Sequence, residues 1–297
     1  MRFFPDYNKP GPGVEKDQPP KKAWMRFLEL YWRKFSRFIV FNLLSFLFLL
    51  PVITLLFYAV GALLFMGADE AVLAAAEENG VFFSNLQLLL LGAAITIPSP
   101  IPAILLVISL VFYGPMMCAK TYIYRNYSQE KHAWMSDYWE QMRKNFRQGL
   151  VLGVLEIAVI SLLIFNMFIQ PSEDTVIAFL PAVRFGSAFM LILVFFARRY
   201  TYTMVVTFNL PLIKILKNGI AFAFIGLWRN LSLAAFDIAL IVLILFVPFF
   251  DVFFLPFFFF SLTGFLSVFA TFPLIKRHMI KSADEEQAPQ TAENTDE

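Results

Sequence analysis

Long apolar runs separated by short polar segments dominate this chain, and most of them approach or exceed the roughly 20 residues an α-helix needs to cross a bilayer. The first begins near Phe38 and continues to about Met66, with Pro51 as a kink point. Residues 67 to 85 hold Asp69, Glu70, Glu77 and Glu78 and end on Asn79-Gly80, the pattern of a short surface helix with a stop signal. The stretch 86–117 is long for one span, short for two, and broken by Pro98, Pro100 and Pro102. Were 86–97 to cross separately, the basic segment from Lys120 to Arg147 would fall outside; 86–98 therefore reads as interfacial or re-entrant and 101–122 as span two. Residues of about 149–169, 176–197, 231–250 and 257–275 supply spans three to six, with turns at Pro171 to Asp174 and Asp251 to Pro256.

The pattern predicts an all-α fold, a polytopic transmembrane helical bundle of about six spans. Around it, residues 1–20 carry five prolines and read as an extended arm. Residues 21–37 place Trp24, Phe27, Leu28, Tyr31, Trp32 and Phe35 at helical spacing among six cations, as in a basic helix on a membrane surface. The membrane domain is then 38–275, with 67–100 as an outer insertion, and 276–297 is a polar tail expected to be disordered. The polar start and the length of the first apolar run argue against a cleaved signal peptide. No convincing internal repeat emerges from the residue pattern.

Composition agrees: 59% of residues are hydrophobic and 15% charged, against about 25% charged in soluble domains, so lipid is the solvent for most of the chain. Charge adds direction. Of 24 lysines and arginines, 23 fall in the segments 1–37, 114–148, 198–230 and 276–297, which all lie on one side in the six-span reading. The opposite loops carry acids only, so the positive-inside rule places both termini in the cytoplasm.

Three charges, Glu156, Arg184 and Asp237, fall inside the expected spans, Lys120 at the end of span two counting with the basic segment from Lys120 to Arg147. A charge at the bilayer centre costs on the order of 3 kcal/mol by insertion scales, so each is expected to face the bundle interior, with Arg184 reaching one of the carboxylates. Such a cluster is either a polar relay or substrate contact, or a structural ion pair locking spans three to five. Carboxylates snorkelling to the near interface are a third reading. Gly149 and Gly153, and Ala182 and Gly186, form small-xxx-small pairs read as packing within the chain. On the basic side Arg33, Lys34, Arg125, Trp139, Lys144 and Lys217 are candidate interfacial or partner contacts. Their aromatic neighbours read as a membrane belt rather than a nucleic-acid stacking surface. The acceptor patterns at Asn126 and Asn230 are discounted because they fall on the cytoplasmic side.

A single cysteine, Cys118, excludes an internal disulfide framework, and two distant histidines, His132 and His278, argue against a metal site. No phosphate loop, nucleophile elbow or zinc helix occurs, so neither cofactor nor catalysis is expected.

At two places the chain resembles the YesL-like family of bacterial integral membrane proteins. One is Gly11-Pro12-Gly13-Val14 with Lys16, Asp17 and Pro19, continuing to Asn42-Leu43-Leu44 and Leu50-Pro51-Val52-Ile53. The other is Gly114-Pro115 followed by Ala119, Tyr122, Arg125, Asp137, Trp139, Asn145, Phe146 and Gln148. Shorter members run almost directly from one motif to the other, whereas here about 60 residues, Thr54 to Tyr113, intervene. The resemblance implies a multi-pass protein of the bacterial cytoplasmic membrane, non-enzymatic, serving beside a sugar ABC transporter subunit. The rival reading is a transporter or channel using Glu156, Arg184 and Asp237.

Overall fold

The computed structural model describes residues 21–65, 101–168, 179–247 and 250–280. The arm 1–20, the insertion 67–100 with its 86–98 stretch, the turn at 171–174 and the tail beyond 280 lie outside the described residues. Among the described residues every regular element is helical: α1 Ala23–Arg33, α2 Phe35–Phe65, α3 Ile101–Ser128, α4 Met135–Lys144, α5 Phe146–Phe168, α6 Leu180–Val205, α7 Leu212–Ile225, α8 Leu227–Phe246, α9 Phe250–Phe254 and α10 Phe260–Ile275. Five segments are long and apolar enough to cross a membrane, within α3, α5, α6, α8 and Val252–Ile280. In α2, Phe35–Leu50 forms a further, shorter apolar helix.

Several boundaries differ from expectation. Helix α6 does not stop near residue 197 but runs to Val205, carrying Arg198 and Arg199 inside it. Its last two turns are polar yet still hydrogen-bonded, because a fall in hydropathy ends an apolar surface without ending a helix. The corner expected from Asp251 to Pro256 is helical as well, with wide π turns at Leu255–Phe259 and Lys276–Ile280 flanking α10. Asn42, fully buried on α2, brackets the first of these: its Nδ2 donates to the Leu255 carbonyl at 2.7 Å and its Oδ1 accepts from the Ser261 amide at 2.6 Å. Backbone groups loosened by a π turn thus find partners where water is absent.

The internal repeat that residue types conceal is plain in the backbone. Three times a short helix meets a long apolar helix through one residue: Lys34 (φ −111°, ψ 14°), Asn145 (φ −99°, ψ 14°) and Gly226 (φ −94°, ψ 20°). These bridge-region angles turn the helix axis. Each break residue still starts the next helix, its carbonyl accepting from Phe38, Gly149 and Asn230 at 3.1, 2.8 and 2.8 Å. In each unit the long helix pairs antiparallel with a returning one. Phe38 meets Tyr124 while Phe48 meets Phe112; Gln148 meets Leu210 while Glu156 meets Arg198; Arg229 meets Ala270 while Ile244 packs with Leu255. The returning helices α3, α6 and α10 pack on one another, and α2, α5 and α8 surround them, each lodged between two of the three. The membrane domain is therefore a pseudo-threefold assembly.

Three residues after each break a side chain donates to a backbone carbonyl: Arg37 to Ala133 at 2.8 Å, Gln148 to Leu210 at 3.2 Å and Arg229 to Ala270 at 2.7 Å. Ala133 and Leu210 immediately precede the N-caps of α4 and α7, so units one and two each clamp the start of the next unit's short helix. Where α2 lies between α3 and α10, Phe38, Tyr124 and Phe265 form an aromatic core, with Phe38 and Phe265 ring centroids 4.8 Å apart.

Helices α3 and α5 approach to backbone contact. A Cβ on Gly114 would overlap the Gly149 carbonyl oxygen, and one on Gly153 would lie 2.8 Å from the Gly114 backbone, so the Gly149 and Gly153 pair packs within the chain. Gly186, by contrast, has open space around its Cβ direction. Replacing Gly114 with Ala is expected to destabilise the protein by about 3 kcal/mol through overpacking against backbone. Gly186→Ala should change stability by less than about 0.5 kcal/mol. Thermal unfolding in mild detergent distinguishes the two.

Candidate functional site

Eleven residues beyond the break positions stand Ser45, Glu156 and Asp237, so the two membrane carboxylates occupy equivalent places in units two and three. Each meets an arginine of α6. Arg198 Nε lies 2.9 Å from Glu156 Oε1, and Arg199 Nη2 lies 2.8 Å from Asp237 Oδ2. Consecutive residues on a helix point about 100° apart, so one dipeptide reaches α5 on one flank and α8 on the other. Arginine side chains also lean toward their helix N-terminus, here away from the basic end and into the apolar layer.

Glu156 is 6% exposed and fully engaged. Tyr113 of α3 donates to its Oε1 at 3.0 Å and Tyr202 of α6 to its Oε2 at 2.7 Å, while Arg198 Nη2 donates to the Tyr113 hydroxyl oxygen at 2.8 Å. The carboxylate thus receives three donors from two helices. Charge-assisted bonds of this kind are short and strong, and a low dielectric amplifies them.

Arg184 does not join this cluster. It is exposed on α6, fourteen residues before Arg198 and so about 21 Å along the helix. The expected reach of Arg184 to Glu156 or Asp237 fails because the helix continues past 197 and sets Arg198 and Arg199 against the two carboxylates. Once α6 extends to Val205, those two lie nearer the carboxylates, and the snorkelling alternative for Glu156 also falls.

One further cation lies inside. Lys120 of α3 is 4% exposed, with its ammonium 5.9 Å from the Phe260 ring centroid. No carboxylate among the described residues lies within ion-pair distance of it. The sequence signal for Lys120 was its position inside the apolar run 101–122. Tyr113 and Tyr202 left no signal, because a phenol in a membrane helix reads equally as packing.

The candidates on the basic face divide. Arg125 is a tether: its Nη1 donates to Val206 O at 2.6 Å and Thr207 Oγ1 at 3.0 Å, and its guanidinium stacks 4.9 Å from the Tyr122 ring. Trp139 packs edge-on against Tyr138 with centroids 5.3 Å apart and belongs to the aromatic core. Lys34 sits at the first break, 5.5 Å from the Tyr127 ring; partial burial, then Arg37 and Arg33, lower its ammonium pKa. Arg33, 3.6 Å from Glu130 Oε2, is exposed, as are Lys144 and Lys217. These three stand one each on α1, α4 and α7. The acceptor asparagines are interior: Asn230 is fully buried, accepting from Tyr200 Oη at 3.1 Å and donating to Ala223 O at 3.0 Å.

Among the described residues no group of three His, Cys, Asp or Glu side chains is placed to hold a metal ion. Glu156→Gln and Arg198→Gln should each cost about 3 kcal/mol, since each leaves a buried group without its partner. The double variant should cost clearly less than their sum. Glu156→Gln combined with Arg184→Gln should be additive, given their separation. Equilibrium unfolding in detergent measures all of these. No family model, curated protein or solved structure matches this chain.

Proposed function

We propose that this protein is a non-enzymatic accessory component of a membrane, acting by holding a partner rather than by passing a substrate. The observation that carries this is the contrast between its two sets of charges. Inside the apolar layer Glu156 and Asp237 are paired with Arg198 and Arg199, an arrangement suited to locking helices. On the basic face three short helices each present an exposed cation, Arg33, Lys144 and Lys217. Six spans with both termini inside, in a bacterial cytoplasmic membrane, complete the proposal: α2 is the sixth span, and the charge asymmetry sets the orientation. The resemblance to the YesL-like family supplies the partner class, a carbohydrate uptake system, whose membrane subunit would meet the basic face.

Pull-down in mild detergent from cells expressing an oligosaccharide uptake system tests this. The wild type should retain transporter subunits, and the triple variant Arg33→Glu, Lys144→Glu, Lys217→Glu should lose them while keeping its thermal stability. Recovery of no transport component by the wild type overturns the accessory role.

A second reading, a transporter in its own right, draws on two observations: the pseudo-threefold repeat, and Lys120, buried on α3 beside Phe260 of α10 with no carboxylate among the described residues within ion-pair distance. Uptake of labelled sugars into vesicles holding only the purified protein separates the two. Uptake lost in Lys120→Met establishes transport; folded protein that passes nothing across a broad panel leaves the accessory reading.

A further inference from the structure

The three units differ in what covers them. In unit one the surface between α2 and α3 lies under α4: Arg37 holds the carbonyl before α4, and the Tyr138 ring stands 5.4 Å from Phe41, seven residues beyond the break. In unit two α7 does the same over α5 and α6, with Gln148 on the Leu210 carbonyl and Leu152, the counterpart of Phe41, in one buried cluster with Ile215. Among the described residues no short helix beyond the π turn Lys276–Ile280 follows unit three. By the threefold relation α1 would take that place, but it packs on the Phe265 and Phe269 side of α10 instead. What remains between α8 and α10 is a groove of about 660 Å³, lined among others by Trp228, Arg229, Leu233, Phe236, Ala270 and Leu274. Arg229 and Leu233 are the counterparts of Arg37 and Phe41.

Position and charge identify an occupant. The outward side of α8 is apolar and exposed, with Trp228, Leu231 and Ile238 at 81%, 51% and 60%, so the groove opens toward lipid. Its mouth lies at the basic end of the bundle. There Arg229 donates Nη1 to the Ala270 carbonyl and makes no other hydrogen bond among the described residues, and Lys276 and Arg277 follow Leu274 by two and three residues, both exposed. The segments 225–236 and 266–280 that line the groove and carry these cations contain no acid. An exposed tryptophan beside an arginine at the end of a span is the arrangement that engages headgroups.

We propose that this groove holds one anionic glycerophospholipid, its phosphate on Arg229 and one acyl chain lying along Leu233, Phe236 and Leu266 in the place a short helix fills in units one and two. The lipid is a structural ligand that completes the third unit. Basic pockets between membrane helices bind anionic headgroups by this combination of charge and apolar depth.

Native mass spectrometry of the full-length protein, delipidated in mild detergent and titrated with dioleoyl phosphatidylglycerol or dioleoyl phosphatidylcholine, tests the site. One phosphatidylglycerol should be retained about tenfold more tightly than phosphatidylcholine, and R229Q should remove that preference. R147Q, which removes an exposed cation at the basic end of α5, should preserve it. Equal retention of both lipids, or equal loss in R229Q and R147Q, overturns the proposal. So does a photocrosslinker on S232C that captures residues 1–20 instead of lipid, since the chain's own arm would then be the occupant.

Discussion

Hydrocarbon neither drives apolar helices together nor satisfies a polar group, and this constraint organises the whole molecule. Helices here are joined where backbones touch or where polar atoms pair. Gly114 against Gly149 and Gly153 brings α3 and α5 into backbone contact, which multiplies dispersion contacts that larger side chains would hold apart. The α6 arginines fasten α5 on one side and α8 on the other. Asn42 secures the π turn before α10, and Arg125 ties α3 to the end of α6. Remove these and the remaining surface, though apolar, has no preference for protein over lipid.

The same constraint explains how much was legible in the residue pattern. An all-helical membrane bundle was, because spanning length and charge asymmetry are properties of one strand of sequence. The carboxylates Glu156 and Asp237 were, because a charge in an apolar run must find a partner. The partner itself was not. Hydropathy falls at residue 198, so Arg198 and Arg199 read as loop residues, although an arginine leaning toward its helix N-terminus carries its charge back into the apolar layer. Arg184, central by residue counting, took their place.

The repeat was hidden for a different reason. Its equivalent positions share geometry and not chemistry: lysine, asparagine and glycine at the breaks; arginine, glutamine and arginine at the clamps; serine, glutamate and aspartate eleven residues on. A break near φ −100° and ψ 15° is open to any residue outside proline, and a clamp needs only a long donor. What these positions share is backbone shape, which leaves little trace in residue identity. Glu156 and Asp237 at similar depth were the visible edge of this relation, and their equivalence follows from the shared distance to the break.

Against this threefold background, departures stand out as places where one unit was made different. Lys120 lies fourteen residues before the N-cap Trp134, and the same count before Pro211 falls on Ala197, which packs quietly against Ala223. Packing alone therefore accepts a small apolar residue at this position. A buried ammonium there carries a desolvation cost that an aromatic face offsets by only about 2 kcal/mol. The Glu156 pair costs less because Tyr113 and Tyr202 complete it, and both carboxylate pairs hold helices in return. Lys120 closes on no carboxylate among the described residues, so the lock that explains the arginines does not explain it, and the case for a second role within the bundle rests on this residue more than on the carboxylates.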